Sequence, residues 1–264
     1  MSVISKKCVA RSKISDTPDK ASWYIRYQNM TVGGPKVRAE LVVDCINQHG
    51  EGIFWNPADG LVWWTDIEGC TLWSFDPSTL KSASRKMAER VCCFAPRASG
   101  GLIVAYADRV VLFDPDTGEE SLVTEFESGN PETRLNDGRT DRQGRLIVGG
   151  MNEVSGKADS SVICIDTDLK VRTIIEGVSC ANSTCFSPDG ATMFFADTPD
   201  REIVAFDYDT ASGSVSSRLS NTPLSRKNLA YLMAPAWMRK AACGMPNGKA
   251  TASCVWRRTA RSTA

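Results

Sequence analysis

The apolar residues of this chain fall in short runs separated by turn residues, and the alternation repeats. A turn, a short apolar strand and a second strand ending in an aspartate turn recur as "ADGLVWWTDIEGCTLWSFDPST", "SGGLIVAYADRVVLFDPDTG", "QGRLIVGGMN…SSVICIDTD" and "DGATMFFADTPDREIVAFDYDTASG". The glycines that open these units are Gly60, Gly101, Gly144 and Gly190, spaced by 41, 43 and 46 residues. The runs are rich in Val, Ile, Phe and Trp and bounded by Asp-Gly, Asp-Pro or Ser-Gly, which predicts β-hairpins. No segment sustains a helical apolar period.

Ahead of each opening glycine lies another strand candidate: "GEGIFWNP", "RVCCFAP", "NDGRTDRQ" and "ANSTCFSP". Three or four strands per unit of about 45 residues is the arithmetic of a β-propeller blade. A β-sandwich with evenly spaced strands is the alternative. Against it, the turn residues recur in kind as well as in position.

In a propeller the first strand of each blade lines the central channel, so residues at equivalent starts of those strands converge on the axis. The polar residues there are Glu51, Asn136 and Asn182, each just ahead of its blade's inner strand. Singly, Asn136 reads as part of a turn, Asn182 as a strand-entry cap and Glu51 as a solvated acid. Their register across three blades is what singles them out. One carboxylate and two amide carbonyls make a hard oxygen set, suited to one divalent cation: Ca²⁺, Mg²⁺ or Mn²⁺, with Zn²⁺ tolerated.

Composition narrows the partners. With 264 residues, 42% of them apolar, and 31 basic against 31 acidic side chains, the chain has the makings of a core and no overall positive field. Nucleic acid and membrane are not expected as partners; a small ligand is. No run approaches a membrane span and the N-terminus lacks the apolar core of a secretory signal, so a cytoplasmic location is expected. Residues 1–39, basic at the start, are read as a disordered leader with a faint likeness to a mitochondrial presequence. The ten cysteines show no CxxC pair and are expected as free thiols. The single histidine, His49, cannot build a two-histidine metal site, and is expected to cap the loop before Glu51. There is no GxSxG, no GxGxxG after a strand and no GKS or GKT.

At these residues the sequence resembles the gluconolactonase/regucalcin family, also called the senescence marker protein family. The matching motifs are "HGEGIFWNPADGLVWWTDIEG", "RLNDGRTDRQGRLIVGGMNE" and "CANSTCFSPDGATMFFADTPDREIVAFDYDTASG", together spanning about Leu41 to Pro223. The resemblance implies a six-bladed all-β propeller that binds a divalent metal in its channel and hydrolyses sugar lactones. It places Glu51, Asn136 and Asn182 around the metal and Arg134 and Asn136 against the substrate, with Asn152 and Glu153 as further polar contacts. The implied chemistry is metal-assisted ester hydrolysis, with a carboxylate taking up the proton as water attacks. A regucalcin-like protein that binds calcium without catalysis is the alternative the resemblance allows.

In the family that carboxylate sits in a fifth-blade Asp-Gly-x-x-Val-Asp-x-x-Gly motif, and residues 224–264 contain none. Read one base earlier, however, Met233–Ala234 must encode Gly, Trp237–Met238 must encode Asp and Met245–Pro246 must encode Ala. The displaced reading is P-D-G-x-x-V-D-x-E-G-x-L-W-x-A-x-W. The tail is therefore read as out of frame and disordered, through a frameshift, an unrecognised intron or an error in the gene model; a genuine divergent basic tail is the alternative. About four blades are expected over residues 40–223, with unpaired radial faces and impaired catalysis.

Overall fold

A computed structural model describes residues 41–223; the leader assigned to 1–39 and the segment 224–264 lie outside the described residues. The described residues form four four-stranded antiparallel sheets, each with its strands hydrogen-bonded in chain order. Blade 1 is β1 (Gly50–Asn56), β2 (Leu61–Asp66), β3 (Thr71–Asp76) and β4 (Lys81–Lys86). Blade 2 is β5 (Cys93–Pro96), β6 (Leu102–Ala105), β7 (Arg109–Phe113) and β8 (Glu120–Glu125). Blade 3 is β9 (Thr133–Thr140), β10 (Leu146–Asn152), β11 (Ser160–Ile165) and β12 (Val171–Val178). Blade 4 is β13 (Ala181–Phe186), β14 (Thr192–Asp197), β15 (Glu202–Tyr208) and β16 (Val215–Pro223). All four strand candidates ahead of the opening glycines are first strands, and the expected β-propeller blades are present. Among the described residues the helical content is a single turn, Thr198–Asp200, and no helix is long and apolar enough to cross a membrane.

The runs "GLIVAY" and "GRLIVGG" are almost continuously apolar because a strand presents alternate residues to opposite faces and both faces of these blades are covered. In blade 2, Phe94, Leu102, Val104, Val111 and Phe113 pack toward blade 1, against Leu72, Phe54 and Trp63. The intervening Ala95, Ile103, Ala105 and Val110 pack toward blade 3, against Leu135, Leu146, Val148, Ile163 and Ile165. Blade 3 divides in the same way, sending Ile147, Val162 and Cys164 to meet Met193, Phe195 and Tyr208 of blade 4. The core is thus a series of layers between blades, and burying each Val, Leu, Ile or Phe in it contributes about 1.5–3 kcal/mol. A fourth cluster joins Ile53, Trp64 and Phe75 of blade 1 to Val43 from the segment leading into β1.

Polar groups reinforce one interblade layer. Arg145 Nη1 donates to Asp141 Oδ2 at 2.8 Å and to the carbonyl of Thr210 at 3.0 Å, while its Nε donates to Asp166 at 2.8 Å. The buried Tyr208 hydroxyl donates to the same Asp141 Oδ2 at 2.8 Å, so one carboxylate of blade 3 is shared with blade 4. The thiols of Cys70, Cys92, Cys93, Cys164, Cys180 and Cys185 are free.

Candidate functional site at the inner strands

Glu51, Asn136 and Asn182 lie within β1, β9 and β13, not ahead of them as the sequence pattern suggested, because ladder pairing extends past each. Each lies at a bulge, but not in one common register: Glu51 and Asn182 are the paired residues just before it, whereas Asn136 stands one place later, inside it. In β1 the register slips between Glu51 and Phe54, and in β13 between Asn182 and Cys185. In β9 it slips between the residues paired with Val148 and Gly150, so that Asn136 and Asp137 together oppose Gly149 alone.

A bulge bends the strand and re-aims a side chain without disturbing the alternation on either side of it. Blade 1 forms its bulge with Gly52 at φ 65°, a conformation that suits glycine; blade 4 places Ser183 at φ 62° in the corresponding position. Blade 2, whose β5 is short and pairs without a register shift, carries no such residue.

Blades 3 and 4 are keyed together at this point. Asn136 Nδ2 donates to the carbonyl of Ala181 at 2.9 Å, and Asp137 Oδ2 accepts the main-chain N–H of Ser183 at 2.8 Å. The two bonds grip the main chain on either side of Asn182. Close approach is possible because residue 149 is glycine: a Cβ there would fall 2.3 Å from the Ala181 Cβ. Asn182 is buried, and its Nδ2 donates to the Thr198 hydroxyl at 2.8 Å.

The loops that enter β1 and β13 are held by a pair of aspartates that the sequence reading did not single out. Asp66, at the end of β2, accepts the N–H groups of Gln48 and His49 at 2.9 and 2.8 Å. Asp197, at the end of β14, accepts those of Ser179 and Cys180, both at 2.8 Å. In each blade the clamped residues stand third and second before the site residue, Glu51 or Asn182. Their signal was the shared ending of "LVWWTD" and "TMFFAD". His49 contributes its main chain to this loop, while its side chain does not cap it as expected: Nε2 faces Glu51 Oε1 at 3.7 Å.

Electrostatics follow from burial. The Glu51 carboxyl is pushed above the usual carboxylate range, chiefly by loss of solvent, with the neighbouring His49 opposing and the charge of Asp137 reinforcing the rise. His49 in turn is raised, chiefly by Glu51. Glu51 also feels the positive charge of Arg134. A poorly solvated carboxylate on the inner strand of blade 1, with amide groups on the inner strands of blades 3 and 4, is by its chemistry a donor set suited to a hard divalent cation. Among the described residues no three His, Cys, Asp or Glu side chains cluster to hold a metal by themselves. Among the described residues, a cation site would therefore draw on amide oxygens as well as carboxylates.

Arg134 is buried, and its contacts bring several expected residues together. Its Nη1 donates to Asn136 Oδ1 at 3.0 Å and to the Leu135 carbonyl at 2.8 Å, and its Nε donates to Glu153 Oε2 at 2.7 Å. Asn152 has a different surrounding. Its Oδ1 accepts the N–H groups of Val154, Ser155 and Gly156, and its Nδ2 donates to Glu132 and Asp159. Both Nδ2 hydrogens are engaged, and the amide shapes the loop that follows β10.

Comparison with known proteins gives this arrangement its family. The chain is 35% identical over 178 residues to an L-arabinolactonase of Azospirillum brasilense, an overlap of 66% of this chain and 59% of that one. It is 26% identical over 187 residues to the regucalcin of Xenopus laevis, covering 69% and 62% of the two chains. The crystal structure of a calcium-binding regucalcin from Agrobacterium tumefaciens superimposes with a TM-score of 0.63 at 27% identity, over 69% of this chain and 61% of that one. The chain thus spans about three-fifths of the length of these relatives. Residues 49–235 match the model of the SMP-30/gluconolactonase/LRE-like region, and the protein belongs to that family.

Proposed function

We propose that the site serves divalent-cation-dependent hydrolysis of a sugar lactone, with Glu51, Asn136 and Asn182 holding the cation and Arg134, Asn136 and Glu153 facing the substrate. The observation that carries this reading is the linkage of Arg134 to Asn136 and of Asn136 to the main chain beside Asn182. It joins the arginine and the amide groups in one rigid unit. When bound, the cation would polarise the lactone carbonyl and make an attacking water more acidic. Arg134 would orient the ring: its Nε and Nη1 are taken up by the protein, and among the described residues Nη2 makes no hydrogen bond, leaving a donor for a sugar oxygen. Asn152, expected as a direct substrate contact, is better suited to shaping the loop that carries Glu153, because its amide is already engaged.

Residues 224–264 contain no Asp-Gly-x-x-Val-Asp-x-x-Gly motif to supply the proton acceptor that the resemblance implies, so we assign this chain weak hydrolysis. Purified protein should be assayed with glucono-1,5-lactone and L-arabino-1,4-lactone, before and after chelation and after Ca²⁺, Mn²⁺ or Zn²⁺ is restored. Cation-dependent binding with little turnover is the expected result. Robust, chelator-sensitive turnover would overturn the assignment of impairment, and absence of cation and lactone binding would overturn the site. Calcium binding without any affinity for lactone or aldonate would favour the non-catalytic reading, which the calcium-binding regucalcin relative makes worth testing.

A further inference from the structure

Arg90 belongs to the connection between blades 1 and 2, far from β9 in sequence. That connection is fixed on both sides: the Thr65 hydroxyl of β2 donates to the Val91 carbonyl at 2.8 Å, and the Cys92 N–H donates to the Ala105 carbonyl of β6 at 2.8 Å. From this anchored position Arg90 reaches blade 3 and makes a paired contact with Glu153, Nη1 to Oε2 and Nη2 to Oε1, both at 2.9 Å. Glu153 Oε2 also accepts Arg134 Nε at 2.7 Å. The same Arg90 Nη1 lies 3.6 Å from Glu68 Oε1 of blade 1. A line of polar contacts therefore runs from Glu68 through Arg90, Glu153, Arg134 and Asn136 to the Ala181 carbonyl, touching blades 1, 3 and 4.

A partly exposed arginine–carboxylate pair contributes little to stability by itself. Its effect here is geometric. A carboxylate held by a planar guanidinium through two parallel bonds loses its rotational freedom, and Glu153 then offers Oε2 to Arg134 in one orientation. With Nε fixed by Glu153 and Nη1 fixed by Asn136 and Leu135, the plane of the Arg134 guanidinium is set.

We propose that Arg90 is a positioning residue for the lactone site: through Glu153 it orients Arg134 toward the sugar, without touching the ligand. The inference rests on the reading that Arg134 faces the substrate, and its test has a part that does not.

The test uses the full chain and its Arg90→Gln, Arg90→Lys, Arg134→Lys and Arg90→Gln/Arg134→Lys variants. The probes are D-gluconate, an aldonate product, and Ca²⁺ alone. Arg90→Gln is expected to weaken gluconate binding about tenfold, the loss of one charge-assisted contact's worth of orientation, while Ca²⁺ affinity changes less than about twofold. Arg90→Lys, which keeps the charge and loses the paired geometry, should fall between wild type and Arg90→Gln. The double variant should bind gluconate no more weakly than Arg134→Lys. Equal gluconate affinity in wild type and Arg90→Gln, or an equal loss of both ligands, would overturn the proposal.

A chain that binds no gluconate would sink the substrate reading and leave the positioning claim to NMR. There the Arg134 Nε–H resonance is expected to shift and to exchange with solvent about tenfold faster in Arg90→Gln. An unchanged resonance would overturn the proposal. If Arg90→Gln does not fold, Arg90→Lys supplies the same two readouts.

Discussion

Asn136 is tied to Ala181 across the boundary between blades 3 and 4, donating from Nδ2 to its carbonyl at 2.9 Å. The bond fixes the amide of one site residue against the main chain that carries the next, Asn182. Replacing Asn136 with Ala should cost about 1–3 kcal/mol, because the Ala181 carbonyl and the Arg134 donor each lose a partner. Cation affinity should fall at least about tenfold. Urea unfolding and calorimetric titration of Ca²⁺ measure the two effects separately.

Glu51 should oppose folding when no cation is present. Its folded carboxyl is raised above the unfolded value, so its contribution to stability is lost as pH rises from the unfolded pKa through the folded one. At neutral pH, Glu51→Gln is expected to raise the melting temperature of chelated protein by about 2–4 °C, the shift that accompanies about 1 kcal/mol in a domain of this size. Added Ca²⁺ should stabilise wild type and leave Glu51→Gln unchanged. A lower melting temperature for the variant in chelator would contradict this account.

Asp66 should act in the opposite direction on the pH axis. Burial raises its carboxyl, but the N–H groups of His49 and Gln48 outweigh that and hold it below the usual range. A depressed carboxylate stabilises above its unfolded pKa, about 3.9, and the stability is lost as pH falls through the folded value. Asp66→Asn should therefore be less stable than wild type at pH 7, with the difference shrinking below about pH 4. Denaturant midpoints across pH 3–7 test the sign.

The carboxylate of Asp141 joins Arg145 and Tyr208 in the layer between blades 3 and 4. Asp141→Ala leaves a buried guanidinium short of its counter-charge and should cost about 3–5 kcal/mol. Tyr208→Phe removes only one hydroxyl and should cost about 1–2 kcal/mol. Since both changes act on the same carboxylate, the double variant should be more stable than the sum of the single losses implies. Additive losses would show that the two contacts are independent.

The out-of-frame reading of residues 224–264 predicts what transcript sequencing across Ser220–Ala250 will find: a one-base displacement that restores P-D-G-x-x-V-D in place of the segment around Leu232–Met238. The match to the family runs to residue 235, within that segment. A transcript that encodes these residues without interruption, with no adjoining alternative frame or intron, would remove the basis for this reading.

Blade number and the order of strands were legible because hairpin chemistry is local. Gly60 at φ 70° sits in the turn its Asp-Gly sequence predicts, and the apolar runs that follow become the strands shared between layers. The repeat makes visible the register that Glu51 and Asn182 share before their bulges, but not the one-place offset that puts Asn136 inside its own. Their bulges were harder to see: Gly52 is a recognisable bulge residue, whereas Ser183 adopts the same kind of conformation through its setting. Asp66 and Asp197 could have been found by comparing strand endings. Arg90 could not, because its partner Glu153 lies 63 residues away and no periodicity joins them.

The inner-strand bulges also separate two design problems that a plain strand would merge. In an uninterrupted strand, changing which side chain faces the axis shifts the alternation and puts apolar residues on the wrong face. Here the extra residue absorbs that shift, so the alternation that feeds the interblade layers resumes on the correct face beyond each bulge. Each inner strand can therefore interrupt its ladder at one point while its remaining residues go on filling the layers on both sides.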